Sequence, residues 1–304
     1  MKLLIIGGSG HVSGTLAIKA IEAGHDVWAL TRGTRPLPDG VKGITVDRKD
    51  REATTLAFAD TDTIWDLVVD CICFDLADIQ QDIELFKERA EQFVMISTDF
   101  VYDPEFRTFP QTNSNDHFVN PDSETMAYGA NKRLCELELL NCDTGNMKWT
   151  VLRPGHIYGP RSALGCLPTH GRDQELISKM KAGEPLKLVG GGYFLQQPIL
   201  ADDLVKTILS IYGNDSIKGK IYNITGPDVI ESKHYYTIIA DVLGVSLAIE
   251  EIPVDSYKTE HPEHVPFLCH RIYDISDLKD SGLSVPSTPI ADGLQYHVEG
   301  LLEQ

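Results

Sequence analysis

No stretch of this sequence approaches the roughly 18 consecutive apolar residues that a membrane-spanning helix needs. The apolar run at the start, Leu3 to Ile6, breaks at once into glycines and is too short for a secretory leader. Positive charge is scarce: 27 Lys and Arg face 45 Asp and Glu, a formal net charge of −18. Lys and Arg that neutralise phosphates supply most nucleic-acid affinity, so nucleic acid and anionic membranes are poor partners for this chain, although a local basic pocket for a small anionic substrate is compatible with it. CxxC pairs are missing from the six cysteines, Cys71, Cys73, Cys135, Cys142, Cys166 and Cys269. No histidine reads as sitting at metal-ligand spacing with a carboxylate, so no metal is expected. Cys71 and Cys73 read as alternating positions of one apolar strand, and Cys135 and Cys142 as one helix face. Free thiols suit a reducing compartment, and a cytoplasmic location is the simplest reading.

What is present is enough apolar material, 42% of 304 residues, to bury a large core in one big domain or two closely joined ones. Strand-length apolar runs recur at Leu3–Ile6, Asp26–Leu30, Leu67–Ile72, Gln92–Ser97 and Thr150–Arg153. Gly14–Ala23, Leu76–Ala90 and Met126–Leu140 between them have the apolar periodicity of helices. That alternation predicts an α/β fold, a doubly wound parallel sheet with helices on both faces. Later, Asp202–Tyr212 and Ser232–Leu243 read as helices and Lys220–Ile224 as a strand returning to the sheet. Substrate-facing loops are expected around Pro160–Arg172 and Gly190–Gly192. Without a repeat or a linker-like tract, the expected division is a dinucleotide-binding domain over 1–155, completed by segments around 196–226. The remainder, 156–304, is a smaller C-terminal substrate region interleaved with it.

The first strand runs into Gly7-Gly8-Ser9-Gly10-His11-Val12-Ser13-Gly14 and then a helix. Glycines permit a tight turn and close backbone approach to a pyrophosphate, and the helix N-terminus supplies unpaired N–H groups and a positive dipole end. The second strand ends Thr31-Arg32-Gly33, without the acid that holds the ribose 2′-OH in NAD enzymes. Thr31 and Arg32, with Arg35 close by, can accommodate a 2′-phosphate, so NADP is preferred over NAD; the alternative for Arg32 is a solvated loop charge. Asp47, after the strand Gly43–Val46, either accepts from the adenine amino group or caps a helix.

Tyr128 and Lys132 stand four residues apart, one helical turn, so they share a face. An ammonium beside a phenol favours the phenolate, which can then take or give a proton. Thr98 lies where the strand Gln92–Ser97 runs out, at the carboxyl end where active groups of open α/β sheets gather. Its hydroxyl can bond the reacting oxygen, or serve only as a strand-end hydroxyl.

Glycine loop, Thr98 and the Tyr128-Gly129-Ala130-Asn131-Lys132 stretch together resemble the extended short-chain dehydrogenase/reductases, the NAD-dependent epimerase/dehydratase family. Leu152-Arg153-Pro154-Gly155-His156-Ile157-Tyr158-Gly159-Pro160-Arg161 is similar to the family segment after the sixth strand, and Ile199-Leu200-Ala201-Asp202-Asp203-Leu204 to its later signature. The resemblance implies a Rossmann domain with a small C-terminal substrate domain, and many members act on nucleotide sugars. It implies catalytic Thr98, Tyr128 and Lys132, and a cofactor-facing set of Gly7, Ser9, Gly10, His11, Val12, Arg32, Asp47, Arg48, Cys71, Lys132 and Pro154. Asp99, His156, Arg161, Gln196 and Arg271 are the substrate-side candidates, with Arg172 a further anion ligand. The GGSG start and the Val46-Asp47-Arg48 segment look most like a branch that includes chloroplast stem-loop-binding proteins, some of which bind RNA.

Departures narrow the chemistry. Ser13 replaces the third glycine of the loop, with Gly14 one place later. His156 and Gln196 stand where many sugar-nucleotide enzymes have asparagine and a diphosphate-gripping arginine, and a neutral amide cannot replace a guanidinium fork. Phe100 takes the place of the glutamate base of sugar dehydratases, which disfavours dehydration. Two functions stay open: an NAD(P)-dependent oxidoreductase or epimerase acting on a hydroxyl or ketone of a sugar-like substrate, and a non-catalytic dinucleotide-binding module contacting RNA or a protein partner. Leu134, Leu137 and Leu140 read either as a homodimer face or as ordinary core.

Overall fold

The computed structural model describes residues 1–59, 63–114 and 117–303. In chain order the first part runs β1 (Lys2–Ile6), α1 (His11–Glu22), β2 (Asp26–Thr31), β3 (Lys42–Thr45), α2 (Arg51–Ala59), β4 (Trp65–Asp70), α3 (Leu76–Phe86), β5 (Ala90–Ile96), α4 (Ala127–Asn141) and β6 (Lys148–Pro154). It continues with β7 (Ile157–Tyr158), α5 (Leu176–Lys181), β8 (Leu186–Val189), β9 (Leu195–Gln196), β10 (Ile199–Leu200), α6 (Ala201–Leu209), β11 (Lys220–Ile224), β12 (Ile230–Glu231), α7 (Ser232–Leu243), β13 (Ile249–Ile252), α8 (Val254–Glu260), α9 (Ser276–Asp280) and α10 (Ile290–Leu302).

Seven strands form one parallel sheet in the order β11-β6-β5-β4-β1-β2-β3. Alternation along each strand decides which helix it meets, because successive side chains point to opposite faces. In β1, Leu3 and Ile5 join Val69 of β4, Leu16 of α1 and Leu204 of α6 on one face. Leu4 and Ile6 join Val68, Ile79 of α3 and Cys135 of α4 on the other. Both faces are thus covered, and the sheet is the doubly wound Rossmann arrangement that the alternating pattern predicts. A smaller C-terminal core packs Leu186 and Leu188 of β8 against Tyr236 and Ile239 of α7 and Leu294 of α10.

Several boundaries move. The helix expected over Leu76–Ala90 stops at Phe86, and Ala90 already opens β5. Its apolar rhythm runs on because a buried strand follows after only three residues. Cys71 and Cys73 lie beyond the end of β4 rather than within a strand, and Cys142 caps α4 instead of sitting on its face. On α4 the buried apolar side chains are Ala130, Cys135 and Leu139, while Leu134 and Leu137 are only half-buried and Leu140 is exposed. These three leucines are therefore not ordinary core.

The order of strands reverses direction between β1 and β4: the chain builds outward from β1 to β3, then returns to the far side of β1. The crevice above the carboxyl ends of β1 and β4 is where open sheets of this kind place ligands.

Candidate active site

Two cavities meet over that crevice, sharing Gly10, Ser13, Ile72 and Phe74 in their walls. One, of about 430 Å3, opens toward the ends of β2 and β3; the other, of about 550 Å3, opens toward β5 and α4. The glycine loop between them is built for close approach. Gly7 and Gly8 have φ of +116° and +122°, and a Cβ on Gly8 would stand 2.7 Å from that of Ala29. Gly10 caps α1, and Ser13 does more than replace a glycine: its hydroxyl accepts the Gly10 N–H at 3.0 Å, closing the first turn. The helix adjusts at Gly14, across which the Arg161 guanidinium lies so closely that a Cβ would meet it at 2.7 Å.

Gly7, Ser9, Arg32, Asp47 and Arg48 line the smaller cavity, together with Arg35. Arg32 and Arg35 are exposed and form no ion pair among the described residues. Arg48 has a different role from the one expected. Its guanidinium is buried and bound to Asp70, to Asp82 at 3.0 Å and to the Asp78 carbonyl at 3.0 Å. It is therefore unavailable to a ligand, and it locks the β3–α2 loop that carries Asp47 onto β4 and α3. Burial and the neighbouring Asp70 carboxylate push Asp82 well above the usual carboxylate range.

His11, Val12, Cys71, Pro154, Thr98, Tyr128, Lys132, Asp99, His156 and Arg271 line the larger cavity, so the sequence-predicted catalytic trio is brought together. Thr98 caps the turn Asp99–Val101 by accepting the Phe100 N–H at 3.3 Å, which leaves its own O–H free to donate. Lys132 is buried and donates to the Ile96 carbonyl at 2.6 Å, not to the phenol. Two of its protons remain for a ligand. Tyr128, in the first turn of α4, is half-exposed with its ring edge-to-face against Phe100 at 6.1 Å.

Helix α4 is held in register at two points. Gly129 presses onto the Phe100 carbonyl, where a Cβ would come within 2.0 Å of the oxygen. One turn beyond Lys132, buried Glu136 is gripped by Arg153 through both carboxylate oxygens at 2.8 and 2.7 Å and accepts from Ser97 at 2.7 Å. Such bidentate pairs add geometric precision as well as energy. The link ties α4 to the ends of β5 and β6, beside Thr98.

The substrate-side candidates divide. Asp99 lies buried against Arg271 and Tyr273, with Arg107 at 3.5 Å. Burial opposes its charge, yet Arg271 and Arg107 hold its carboxyl below the usual range. It acts as a counter-ion that aims Arg271, whose Nε and one terminal nitrogen are buried without partners. Burial, reinforced by the charge of Arg172, holds His156 down at about 4, so its imidazole is neutral at neutral pH. Gln196 does not line either cavity: the β9–β12 pairing turns it into the interior. Arg161 likewise lies elsewhere, in a separate cavity of about 630 Å3 beside Pro160 and Leu301, because Gly14 lets it lie over α1.

Phe74 and Phe267 also line the larger cavity, and Arg107 backs it by donating to the Asp99 carbonyl at 2.8 Å; none was legible in the sequence, since none belongs to a motif. The absence of a histidine–carboxylate grouping also needs correcting: His261, Glu263 and His264 converge with ligand atoms within 4.8 Å of one another. A tight turn folds together residues that look unremarkable in line.

The NAD dependent epimerase/dehydratase family model matches residues 3–225. Chloroplast stem-loop binding protein of 41 kDa b of Arabidopsis thaliana is 25% identical over 240 residues, covering 74% of this chain and 58% of that protein. The chain thus spans under two thirds of that relative's length. Among solved structures, UDP-glucose 4-epimerase of Thermotoga maritima with UDP-glucose superposes with a TM-score of 0.80 at 18% identity, covering 100% of this chain and 99% of that one. MoeE5 in complex with UDP-glucose and NAD gives 0.77 at 17%, covering 100% and 99%. At these identities the superpositions speak for the fold. The glycine loop, the site at the carboxyl ends of the strands and the extent of the family match agree, and the chain belongs to the NAD-dependent epimerase/dehydratase family.

Proposed function

We propose that this protein is an NAD(P)-dependent oxidoreductase or epimerase acting on a hydroxyl or ketone of a sugar or nucleotide-sugar-like substrate. One observation carries the reading: Thr98, Tyr128 and Lys132 line a single cavity with Gly10 and His11 of the glycine loop. The residues fit a dinucleotide. Gly7 and Gly8 let the loop turn tightly against Ala29 and Ser13, the N-terminus of α1 faces the crevice where a pyrophosphate would lie, and the two cavities offer space on either side. When bound, a nicotinamide supplies hydride exchange at the substrate carbon.

The chain's own groups handle the rest. Thr98 donates to the reacting oxygen, Tyr128 passes the proton to or from it, and Lys132 uses its remaining protons to hold the cofactor ribose. Neutral His156 offers a hydrogen bond without charge, and Arg271 offers two unpartnered guanidinium nitrogens to an anionic substrate. NADP is the preferred cofactor, because Arg32 and Arg35 line the smaller cavity and no acid ends β2. The half-buried and exposed leucines of α4 support a homodimer, and six unpaired cysteines suit the cytoplasm. No helix among the described residues is long and apolar enough to cross a membrane.

The relative named for stem-loop binding gives a second reading, a dinucleotide-binding module that contacts RNA. Tyr128→Phe separates the two. The enzyme reading predicts that turnover collapses by about 100-fold or more while cofactor affinity is kept, the usual range for a lost proton-transfer group. Steeply salt-dependent RNA binding with full activity of the variant in cells would establish the second instead.

A further inference from the structure

We propose that His261, Glu263 and His264 form a binding site for a divalent zinc-like cation. The site is set by the turn Pro262–Phe267, a 3-10 helix that begins directly after His261. Such a helix has three residues per turn, so positions three apart eclipse one another. His264 therefore stacks over His261, with ring centroids 5.3 Å apart and planes inclined by 18°, and its N–H bonds back to the His261 carbonyl at 3.0 Å. Between them the Glu263 carboxylate stands 3.4 Å from His261 Nδ1 and 3.7 Å from His264 Nε2.

Those separations match a metal's needs. Two ligands bound at about 2.0–2.1 Å in tetrahedral geometry stand about 3.3–3.4 Å apart, so a cation requires only small side-chain movements here. The far nitrogen of His264 is already engaged: Nδ1 lies 2.8 Å from the Tyr257 hydroxyl. That contact orients the ring and leaves Nε2 for the metal, the usual arrangement around ligating histidines. Two imidazoles and one carboxylate favour zinc and its neighbours over magnesium or calcium, which prefer all-oxygen shells. His261, Glu263 and His264 are 43%, 60% and 39% exposed, so water can fill the remaining positions.

The other convergent group, Asp70, Cys73 and Asp82, lacks this character, because the Arg48 guanidinium already occupies it. The proposed cation does not touch the reacting centre. It fastens the segment leading to Phe267, whose ring packs edge-to-face on Phe100 at 5.6 Å and lines the larger cavity. Its role is to fix one wall of the cleft.

The test is titration of the untagged full chain with Co2+, followed by competition with Zn2+. A saturable visible absorbance at one cobalt per chain, bleached by zinc and insensitive to Mg2+, is expected. The absorbance is absent from the double variant His261→Gln/His264→Gln, while Tyr257→Phe, which leaves all three ligands in place, binds about tenfold or more weakly. Thermal unfolding without metal checks that each variant folds, and Zn2+ then raises the midpoint of the wild type but not of the double variant. No saturable cobalt spectrum, or one retained by the folded double variant, overturns the site.

Discussion

Replacing Gly129 by alanine is the sharpest probe of how α4 presents Tyr128 and Lys132. Helix propensity alone predicts a gain of up to about 1 kcal/mol for a Gly→Ala change in a helix, even in the first turn where Gly129 stands. The structure predicts a loss. The new methyl would sit 2.0 Å from the Phe100 carbonyl oxygen and 2.7 Å from its carbon, where real Cβ contacts essentially never fall below 3.0 Å. Neither partner can escape by side-chain rotation, since one is a helix backbone and the other a main-chain carbonyl. The elements must part by about 1 Å. Overpacking of this kind costs roughly 1–3 kcal/mol, and an unyielding backbone contact belongs at the top of that range. Against the propensity gain the net loss is about 2 kcal/mol, a fall in Tm of roughly 3 °C for a chain of 304 residues. The same 1 Å separates Tyr128 from Thr98, and misplacement on that scale costs about 100-fold in rate. Thermal unfolding with and without cofactor, alongside turnover, reads both effects. A variant as stable as the wild type or more so, with unchanged kcat, would refute the close approach of α4 to the Thr98 turn.

Other perturbations test the buried charges. Asp99→Asn leaves Arg271 and Arg107 facing each other without their shared counter-ion, and chemical denaturation should show a loss of about 3–5 kcal/mol. His297 is fully buried, accepting the Gly159 N–H at Nδ1 and facing the Ser162 carbonyl at Nε2, an arrangement that only the neutral ring satisfies. Burial lowers its pKa to about 4, so its contribution to stability is complete above the unfolded value of 6.5 and fades as pH falls toward 4. Between about pH 7 and pH 5 that amounts to roughly 2 kcal/mol. Urea unfolding should show a shallower pH dependence for His297→Gln than for the wild type, and equal slopes would contradict the assignment.

The framework was legible because it is written in short-range signals. Alternation in Leu3–Ile6 and its sister strands fixes which face meets which helix, and the glycine loop and the four-residue step from Tyr128 to Lys132 are local patterns. The site's supports were less legible, because they depend on partners far apart in sequence. Arg48 stands beside Asp47, which lines the smaller cavity, yet its charge is drawn inward by Asp70 and Asp82, acids 22 and 34 residues away that carry no motif of their own. Gln196 stands just before the Ile199–Leu204 signature, at a place where many relatives have an arginine, but the pairing of β9 with β12 turns it from the cavity. Arg161 is diverted by the space over Gly14, and the Glu136–Arg153 clamp joins a helix and a strand that carry no shared pattern.

The central claim is that the crevice above β1 and β4 binds a nicotinamide dinucleotide, with Arg32 and Arg35 on its 2′-phosphate. Isothermal titration of the wild type with NADP and NAD, repeated on Arg32→Ser/Arg35→Ser, measures it directly. The account predicts saturable one-to-one binding, tighter for NADP, with the preference lost and NAD affinity kept in the double variant. Binding of neither nucleotide would contradict it.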